Sequence, residues 1–139
     1  MIKTIYLIFF ICAFALGLWA CAGNKKLEYQ NFTSAQFEKF IQNSEVQILD
    51  VRTPEEYAEG HIPGSLNINV KDENFASNID ELLTKDKKVA VYCRSGKRSR
   101  TAAETLVKKG FKVYNLDKGI LNWIEEGREV EQLTDKQTQ

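Results

Sequence analysis

The fold of this chain is predicted most clearly by one segment, Lys88-Val89-Ala90-Val91-Tyr92-Cys93-Arg94-Ser95-Gly96-Lys97. Its first half is a short apolar run with β-branched and aromatic residues, which predicts a buried strand. A short loop containing a glycine follows. Residues 98–109 then carry apolar side chains at helical spacing, and Gly110 ends that stretch. A strand, a tight loop and a helix in direct succession predict one βα unit.

The same alternation extends outward in both directions along the chain. Strands and helices follow one another at the spacing of βα units, which predicts an α/β fold with a mostly parallel sheet and helices on both faces. In such sheets the chemistry lies beyond the carboxyl ends of the strands, and Cys93 directly follows the clearest strand. The predicted strands are residues 27–32, 46–49, 66–70, 88–92 and 111–116, and the predicted helices begin near residues 33, 53, 75, 98 and 119.

Composition limits the classes of protein that this chain can be. It has 139 residues, with 19 basic and 19 acidic side chains, one His and three Cys. This length predicts one domain, which we place at residues 27–132, followed by a polar tail at 133–139. The balanced charge gives no support for a nucleic-acid partner. One His and three scattered Cys exclude a His-rich or Cys-rich structural metal site, so we expect no metal.

The N-terminal segment has the pattern of an export signal. A single charge, Lys3, precedes an apolar run over residues 5–19. The run ends in Leu18-Trp19-Ala20-Cys21, which resembles a bacterial lipoprotein signal. That resemblance implies a signal peptide at residues 1–20, a lipid on Cys21 and a tether over residues 21–26. We therefore expect the domain to be exported and anchored by lipid to a membrane of the bacterial cell envelope.

An uncleaved membrane helix is the alternative for this segment. Residues 5–22 lie at the lower end of the length needed to span a bilayer. Because Lys3 precedes the apolar run, this alternative also places the domain outside the cytoplasm. In the lipoprotein interpretation Cys12 leaves with the signal and Cys21 carries lipid, so Cys93 is the thiol that remains. A lone Cys in an exported protein is a candidate reactive thiol.

The loop after Cys93 is suited to stabilising a thiolate. Gly96 permits a positive φ, so successive backbone N–H groups can converge on one point. The start of the following helix adds further N–H donors. Basic side chains add full positive charge, and the thiolate is the nucleophilic form of cysteine. These basic side chains are Arg94, Lys97 and Arg98.

Other roles for this cysteine fit the sequence less well. His61 lies far upstream, so the Cys-His pairing of a hydrolase is poorly supported. There is no Cys-x-x-Cys pair for thioredoxin-like exchange. An inert structural Cys would have apolar surroundings, whereas this loop is polar and basic. What remains is a nucleophilic Cys in an anion-binding loop, able to attack soft electrophiles.

Four segments together resemble a single-domain rhodanese, a sulfurtransferase with a three-layer α/β fold. They occur in the family's order and cover roughly residues 27–130. One departure is Lys118-Gly119, where the family often has Gly-Gly. The four segments are residues 49–57, containing Leu-Asp-Val-Arg and Glu-Glu-Tyr; residues 60–65, Gly-His-Ile-Pro-Gly-Ser; residues 91–103, containing Cys-Arg-Ser-Gly-Lys-Arg-Ser; and residues 113–127.

The resemblance implies a function and a set of site residues. Cys93 would take a sulfane sulfur from a small anionic donor such as thiosulfate and pass it to cyanide in vitro or to a thiol in the cell. No metal or organic cofactor is implied, and we expect a monomer. Asp50 and Arg52 would form a supporting buried ion pair, and His61 would hydrogen-bond backbone in a turn. The substrate-binding loop would comprise Arg94, Ser95, Gly96, Lys97 and Arg98.

Two alternatives to sulfur transfer remain. Phosphatases that share this fold have an Arg six residues after the Cys, whereas that position is Ser99 here and the arginines are Arg98 and Arg100. The shorter loop predicts a poor fit for phosphate. The second alternative is a membrane-tethered docking or sulfur-carrier module, which would use Cys93 only with a specific partner.

Overall fold

The computed structural model describes residues 28–133, and these form a parallel β-sheet flanked by helices. The strand order is β1-β5-β4-β2-β3, and every strand pair is parallel. The predicted α/β fold with helices on both faces is therefore confirmed. The strands are β1 Gln30–Phe32, β2 Val46–Asp50, β3 Ser65–Asn67, β4 Lys88–Tyr92 and β5 Val113–Leu116; the helices are α1 Ser34–Phe40, α2 Pro54–Glu59, α3 Phe75–Leu82, α4 Lys97–Lys108 and α5 Gly119–Glu125.

The central strand β4 contributes to a separate core on each face of the sheet. Val89 and Val91 pack into one buried cluster, which includes apolar residues of α3 and α4. Ala90 and Tyr92 pack into the other, which includes apolar residues of α1 and α5. Because successive strand residues face opposite sides, a continuous apolar run is what a strand with both faces covered requires.

Two helices begin with caps at Thr33 and Thr53, a residue type that favours helix starts in sequence. The Thr33 and Thr53 hydroxyls each accept a hydrogen bond from the backbone N–H three residues later, and the side chain of that later residue accepts from the threonine N–H. Such reciprocal caps satisfy N–H groups that the helix itself leaves unpaired. In α2 the residue that completes the cap is Glu56, which also contributes to the site described below.

Three boundaries differ from the sequence prediction. Strand β5 begins at Val113 rather than at residue 111, because the Phe111 N–H donates to the Leu106 carbonyl and closes the end of α4. Strand β3 covers residues 65–67 rather than 66–70, although Ile68 and Val70 still donate to backbone carbonyls of Asp50 and Val51. Helix α4 starts one residue early, at Lys97.

The predicted signal peptide, the lipid attachment at Cys21 and the tether lie outside the described residues. Within residues 28–133, none of the helices combines the length and the apolar character needed to cross a membrane.

Candidate active site

Cys93 follows the last residue of the central strand, at the carboxyl edge of the sheet. Its side chain is 1% exposed. The Gly96 N–H donates a hydrogen bond to its Sγ, with an N–S distance of 3.1 Å. The backbone therefore turns back towards the sulfur between Cys93 and Gly96, and Gly96 has the positive φ of 100° that this turn requires. A backbone donor is thus aimed at the sulfur, in the loop that directly follows β4.

The surroundings of Cys93 are less polar than the sequence predicted. Cys93 belongs to the buried apolar cluster on the α3 and α4 side of the sheet, which also contains Val51 and Val91. Arg94, Ser95 and Lys97 of the loop are exposed. The expectation of polar and basic surroundings is therefore wrong for the sulfur itself, because Cys93 is buried in an apolar cluster whereas these loop side chains are exposed to solvent.

The loop rests against the start of α5 through backbone contacts. The N–H groups of Ile120 and Leu121 donate to the carbonyls of Cys93 and Arg94, at 2.9 and 3.1 Å. A Cβ at Gly119 would collide with the Arg94 carbonyl group, and its φ is 67°. A Cβ at Gly96 would likewise collide with the Asp117 carbonyl oxygen. Both positions therefore require glycine, and together they fix where the loop lies.

Arg98 is paired with a carboxylate. Its guanidinium donates two hydrogen bonds to Glu56, at 2.7 and 2.8 Å, and so links the first turn of α4 to α2. The hydrogen bonds from Arg98 lower the pKa of Glu56 to about 2. The same contact raises the pKa of Arg98. The sequence placed Arg98 among the residues that bind substrate, whereas the structure places its charge against Glu56. Arg100 is also paired, with Asp117 at 3.0 Å.

Asp50 and Arg52 form a buried ion pair beside the strand ends. Arg52 donates to Asp50 from its backbone N–H and from its side chain, with the shortest contact at 2.6 Å. The same Arg52 side chain donates to the Gly60 carbonyl at 2.7 Å. Burial alone would lower the pKa of Arg52, but its hydrogen bonds and proximity to Asp50 outweigh that effect and raise it. The pair thus ties β2 to the turn after α2.

His61 contacts residues other than Cys93. Its Nδ1 lies 2.8 Å from the Tyr57 carbonyl oxygen and its Nε2 lies 3.1 Å from a Glu131 carboxylate oxygen. The imidazole stacks on the Tyr57 ring, with 3.7 Å between centroids. The His61 and Glu131 backbones also pair as an isolated antiparallel bridge. These contacts hold the chain after α5 against the turn, as expected of a structural histidine.

Sequence reasoning missed several residues that shape the site. For Glu56, the helix-cap motif by itself explains an acid three residues after Thr53, so the sequence gives no sign of a second role. Tyr92 was assigned only to the strand, but its hydroxyl accepts from the Ile62 N–H at 3.0 Å and bonds Ser65 Oγ at 3.1 Å. Their partners are distant in sequence, so no local pattern could have revealed them.

The described residues thus form a parallel α/β domain with a cysteine loop at the carboxyl end of its central strand. Comparison with known proteins identifies the class. A profile of the family described as the rhodanese-like domain matches residues 33–126. The chain belongs to the rhodanese-like family, which includes sulfurtransferases.

Individual relatives show the same relationship. The putative sulfurtransferase YtwF of Bacillus subtilis is 38% identical over 91 residues, which cover 66% of this chain and 85% of that protein. The thiosulfate sulfurtransferase GlpE of Shewanella oneidensis is 34% identical over 98 residues, covering 70% of this chain and 94% of that protein. The crystal structure of a rhodanese-related protein from Thermoplasma volcanium has a TM-score of 0.65 and 34% identity. The structural match covers 76% of this chain and 100% of the Thermoplasma volcanium chain.

Proposed function

We propose that this protein is a sulfurtransferase that carries a sulfane sulfur as a persulfide on Cys93. The observation that carries the proposal is the Gly96 N–H aimed at the Cys93 sulfur, at the carboxyl end of the central strand. Similarity to proteins named as sulfurtransferases supports the same reaction class. The donor that fits best is a small anion, because the rim of the loop is basic.

The proposed reaction has two balanced steps. The Cys93 thiolate attacks the outer sulfur of thiosulfate, so that a new S–S bond forms, the S–S bond of thiosulfate breaks and sulfite leaves with its electron pair. An acceptor thiolate then attacks the outer sulfur of the Cys93 persulfide. That sulfur leaves on the acceptor and the Cys93 thiolate returns. Cyanide can replace the acceptor thiolate in vitro, giving thiocyanate.

Intact-mass spectrometry tests the persulfide directly. The purified protein is incubated with thiosulfate and its mass is measured before and after cyanide. We expect one added sulfur atom on Cys93, lost with cyanide, and no such addition in Cys93→Ser. Circular dichroism checks that the variant is folded, since serine has nearly the same shape as cysteine. Sulfur transfer near the wild-type rate in folded Cys93→Ser would contradict the proposal.

The sulfur-carrier alternative makes a different kinetic prediction. A carrier would load one sulfur per chain and then wait for its partner, whereas a transferase turns over repeatedly with small acceptors. Thiocyanate formation should therefore continue well beyond one equivalent of protein. A burst of one equivalent followed by no further product would favour the carrier. For a phosphatase, the position six residues after Cys93 is Ser99, and the neighbouring Arg98 is paired with Glu56.

We also propose that the protein acts at the bacterial cell envelope. The Leu18-to-Cys21 pattern after an apolar run supports cleavage before Cys21 and lipid attachment there. Several acyl chains would hold the domain firmly on a membrane, at about 0.8 kcal/mol per buried CH₂ group.

A further inference from the structure

The rim of the Cys93 loop carries three cations without carboxylate partners among residues 28–133. Arg94, Lys97 and Lys118 are exposed, and none of them forms an ion pair with a described residue. The two arginines close to them in sequence differ in this respect, because Arg98 is paired with Glu56 and Arg100 with Asp117. The net positive charge of the rim is therefore concentrated on these three side chains, which we call the rim cations.

Backbone contacts bring the rim cations to one place although Lys118 is distant in sequence. The backbones of Gly96 and Asp117 are in contact. Lys97 directly follows Gly96, and Lys118 directly follows Asp117. Gly119 lies against Arg94, so Lys118 also precedes a residue that contacts the loop. Lys118 has a φ of −97°, which any residue can adopt. The lysine is therefore not needed for the turn itself.

An apolar patch adjoins the rim cations on α5. Leu121 is 45% exposed and Ile124 is 49% exposed, and their spacing of three residues puts them on the same side of the helix. Leu121 is next to the loop, because its N–H donates to the Arg94 carbonyl. A small sulfur donor would gain nothing from these side chains, whereas a protein surface could cover them.

Together these features define a docking surface whose occupant must reach a buried sulfur. Resting on the proposed sulfur transfer, we propose that the rim cations and the Leu121–Ile124 patch dock a protein acceptor whose thiol lies in an acidic, extended segment. Charge complementarity identifies the occupant as acidic. An extended segment is required because Cys93 is 1% exposed, so a thiol on a flat surface could not approach its persulfide. Lys118 lies outside the Cys93 loop and adds a third positive charge to those of Arg94 and Lys97.

Binding can be measured without sulfur chemistry. The full-length Cys93→Ser protein is titrated with two labelled peptides, each carrying a leucine beside one central cysteine, with either glutamate or glutamine on both sides. We expect the glutamate peptide to bind at least about tenfold more tightly at low salt, and this preference to shrink as salt rises. Equal affinities for the two peptides at low salt would overturn the proposal.

Matched variants assign the binding to this surface. Lys118→Gln and Leu121→Ser are each expected to weaken binding of the glutamate peptide by about two- to fivefold. Lys118→Arg should restore it. The controls are Lys112→Gln and Leu82→Ser, which change an exposed lysine and an exposed leucine at the amino end of the sheet. Losses in the controls as large as in the test variants would overturn the assignment.

A parallel thiosulfate and cyanide assay on the wild type separates this proposal from the one on which it rests. Thiocyanate formation without any preference between the two peptides would remove the docking surface and leave the sulfurtransferase. Preferential, Lys118-dependent peptide binding in a protein that forms no persulfide would support the surface and remove the chemistry.

Discussion

At the scale of single residues, the basic side chains around Cys93 fall into two kinds. Arg98 is paired with Glu56 and Arg100 with Asp117, so these arginines connect elements of the structure. Lys97 is exposed and has no carboxylate partner among the described residues. The first kind shapes the loop, and the second is free to attract a negatively charged donor.

Lys97→Ala is expected to lower kcat/KM for thiosulfate about fivefold, or by ~1 kcal/mol, because an exposed charge contact contributes at most about that much. The loss should shrink at high salt and should be smaller for an uncharged sulfane-sulfur donor. Steady-state kinetics with both donors at two ionic strengths measure this. Lys112→Ala is the matched control and should behave as the wild type. A loss that is the same for both donors would assign Lys97 to loop shape instead.

At the scale of secondary-structure elements, the loop is held between two helices. On one side, Gly119 of helix α5 contacts the Arg94 backbone, and Asp117 just before that helix contacts Gly96. On the other side, helix α2 fixes the start of α4 through the pair of Glu56 and Arg98. Neither contact involves the thiol directly. Both set the position of the loop that carries the Gly96 N–H donor to the thiol, so each is expected to affect stability and activity together.

Gly119→Ala should destabilise the protein more than Gly127→Ala does. Both glycines have positive φ, 67° and 75°, so alanine is strained at each by about 1–2 kcal/mol. Nothing lies within 4 Å of a Cβ at Gly127, whereas one at Gly119 would collide with Arg94 backbone. We therefore expect an additional loss of roughly 1–3 kcal/mol at Gly119, with sulfur transfer reduced as the loop moves. Urea unfolding and activity measurements compare the two. Equal losses would mean that the loop moves aside at no cost.

The Glu56–Arg98 pair predicts a pH dependence of stability. The folded-state pKa of Glu56 is lowered to about 2 from its ordinary value of 4.5, so the stabilisation is complete above 4.5 and is lost as the pH falls towards 2. After allowance for solvent screening, we expect Glu56→Gln to cost roughly 1–2 kcal/mol at pH 7 and almost nothing near pH 2. Urea unfolding across this range measures the difference.

Glutamine can still accept the Thr53 N–H, so this variant tests the charge and not the helix cap. Glu55→Gln, on the same helix turn and without an ion pair among the described residues, is the control and should show no comparable pH dependence. A Glu56→Gln deficit that stays constant from pH 7 to pH 2 would show that the ion pair does not stabilise the fold.

At the scale of the whole molecule, the domain follows an apolar N-terminal segment that predicts export and lipid attachment. The parallel sheet and its two cores lie in residues 28–133, and the segment that would anchor them precedes this range. In the proposed arrangement the anchor confines the active site to a membrane surface. An acceptor at the same membrane would then meet it at a raised effective concentration.

Cys21→Ser tests the anchor. We expect the wild-type protein to fractionate with membranes and to have an N-terminal peptide that starts at an acylated Cys21. The variant should lack the acyl mass, because serine has no thiol to acylate. Mass spectrometry of the N-terminal peptide and membrane fractionation measure both effects. A wild-type peptide that retains Met1 and carries no acyl group would show that the anchor is an uncleaved helix.

The sequence alone determined the order of strands and helices along the chain, the parallel sheet and the position of Cys93 after the clearest strand. These features follow from local physics, since apolar periodicity, caps such as that at Thr53 and helix-ending glycines act within a few residues. Errors at this level were confined to element ends. At Phe111, for example, closing the end of α4 takes precedence over extending the strand.

Two features of the site follow only from the tertiary structure: which charges near Cys93 form ion pairs, and which backbone segments contact the Cys93 loop. Glu56 and Arg98 are separated by 42 positions, and Gly119 meets Arg94 only because the sheet brings the start of α5 to the end of β4. Such contacts leave no periodic signal, because each depends on two segments that are close only after folding. The sequence thus located the cysteine and its loop, whereas folding buried the sulfur, paired Arg98 with Glu56 and left Lys97 and Lys118 exposed on the rim.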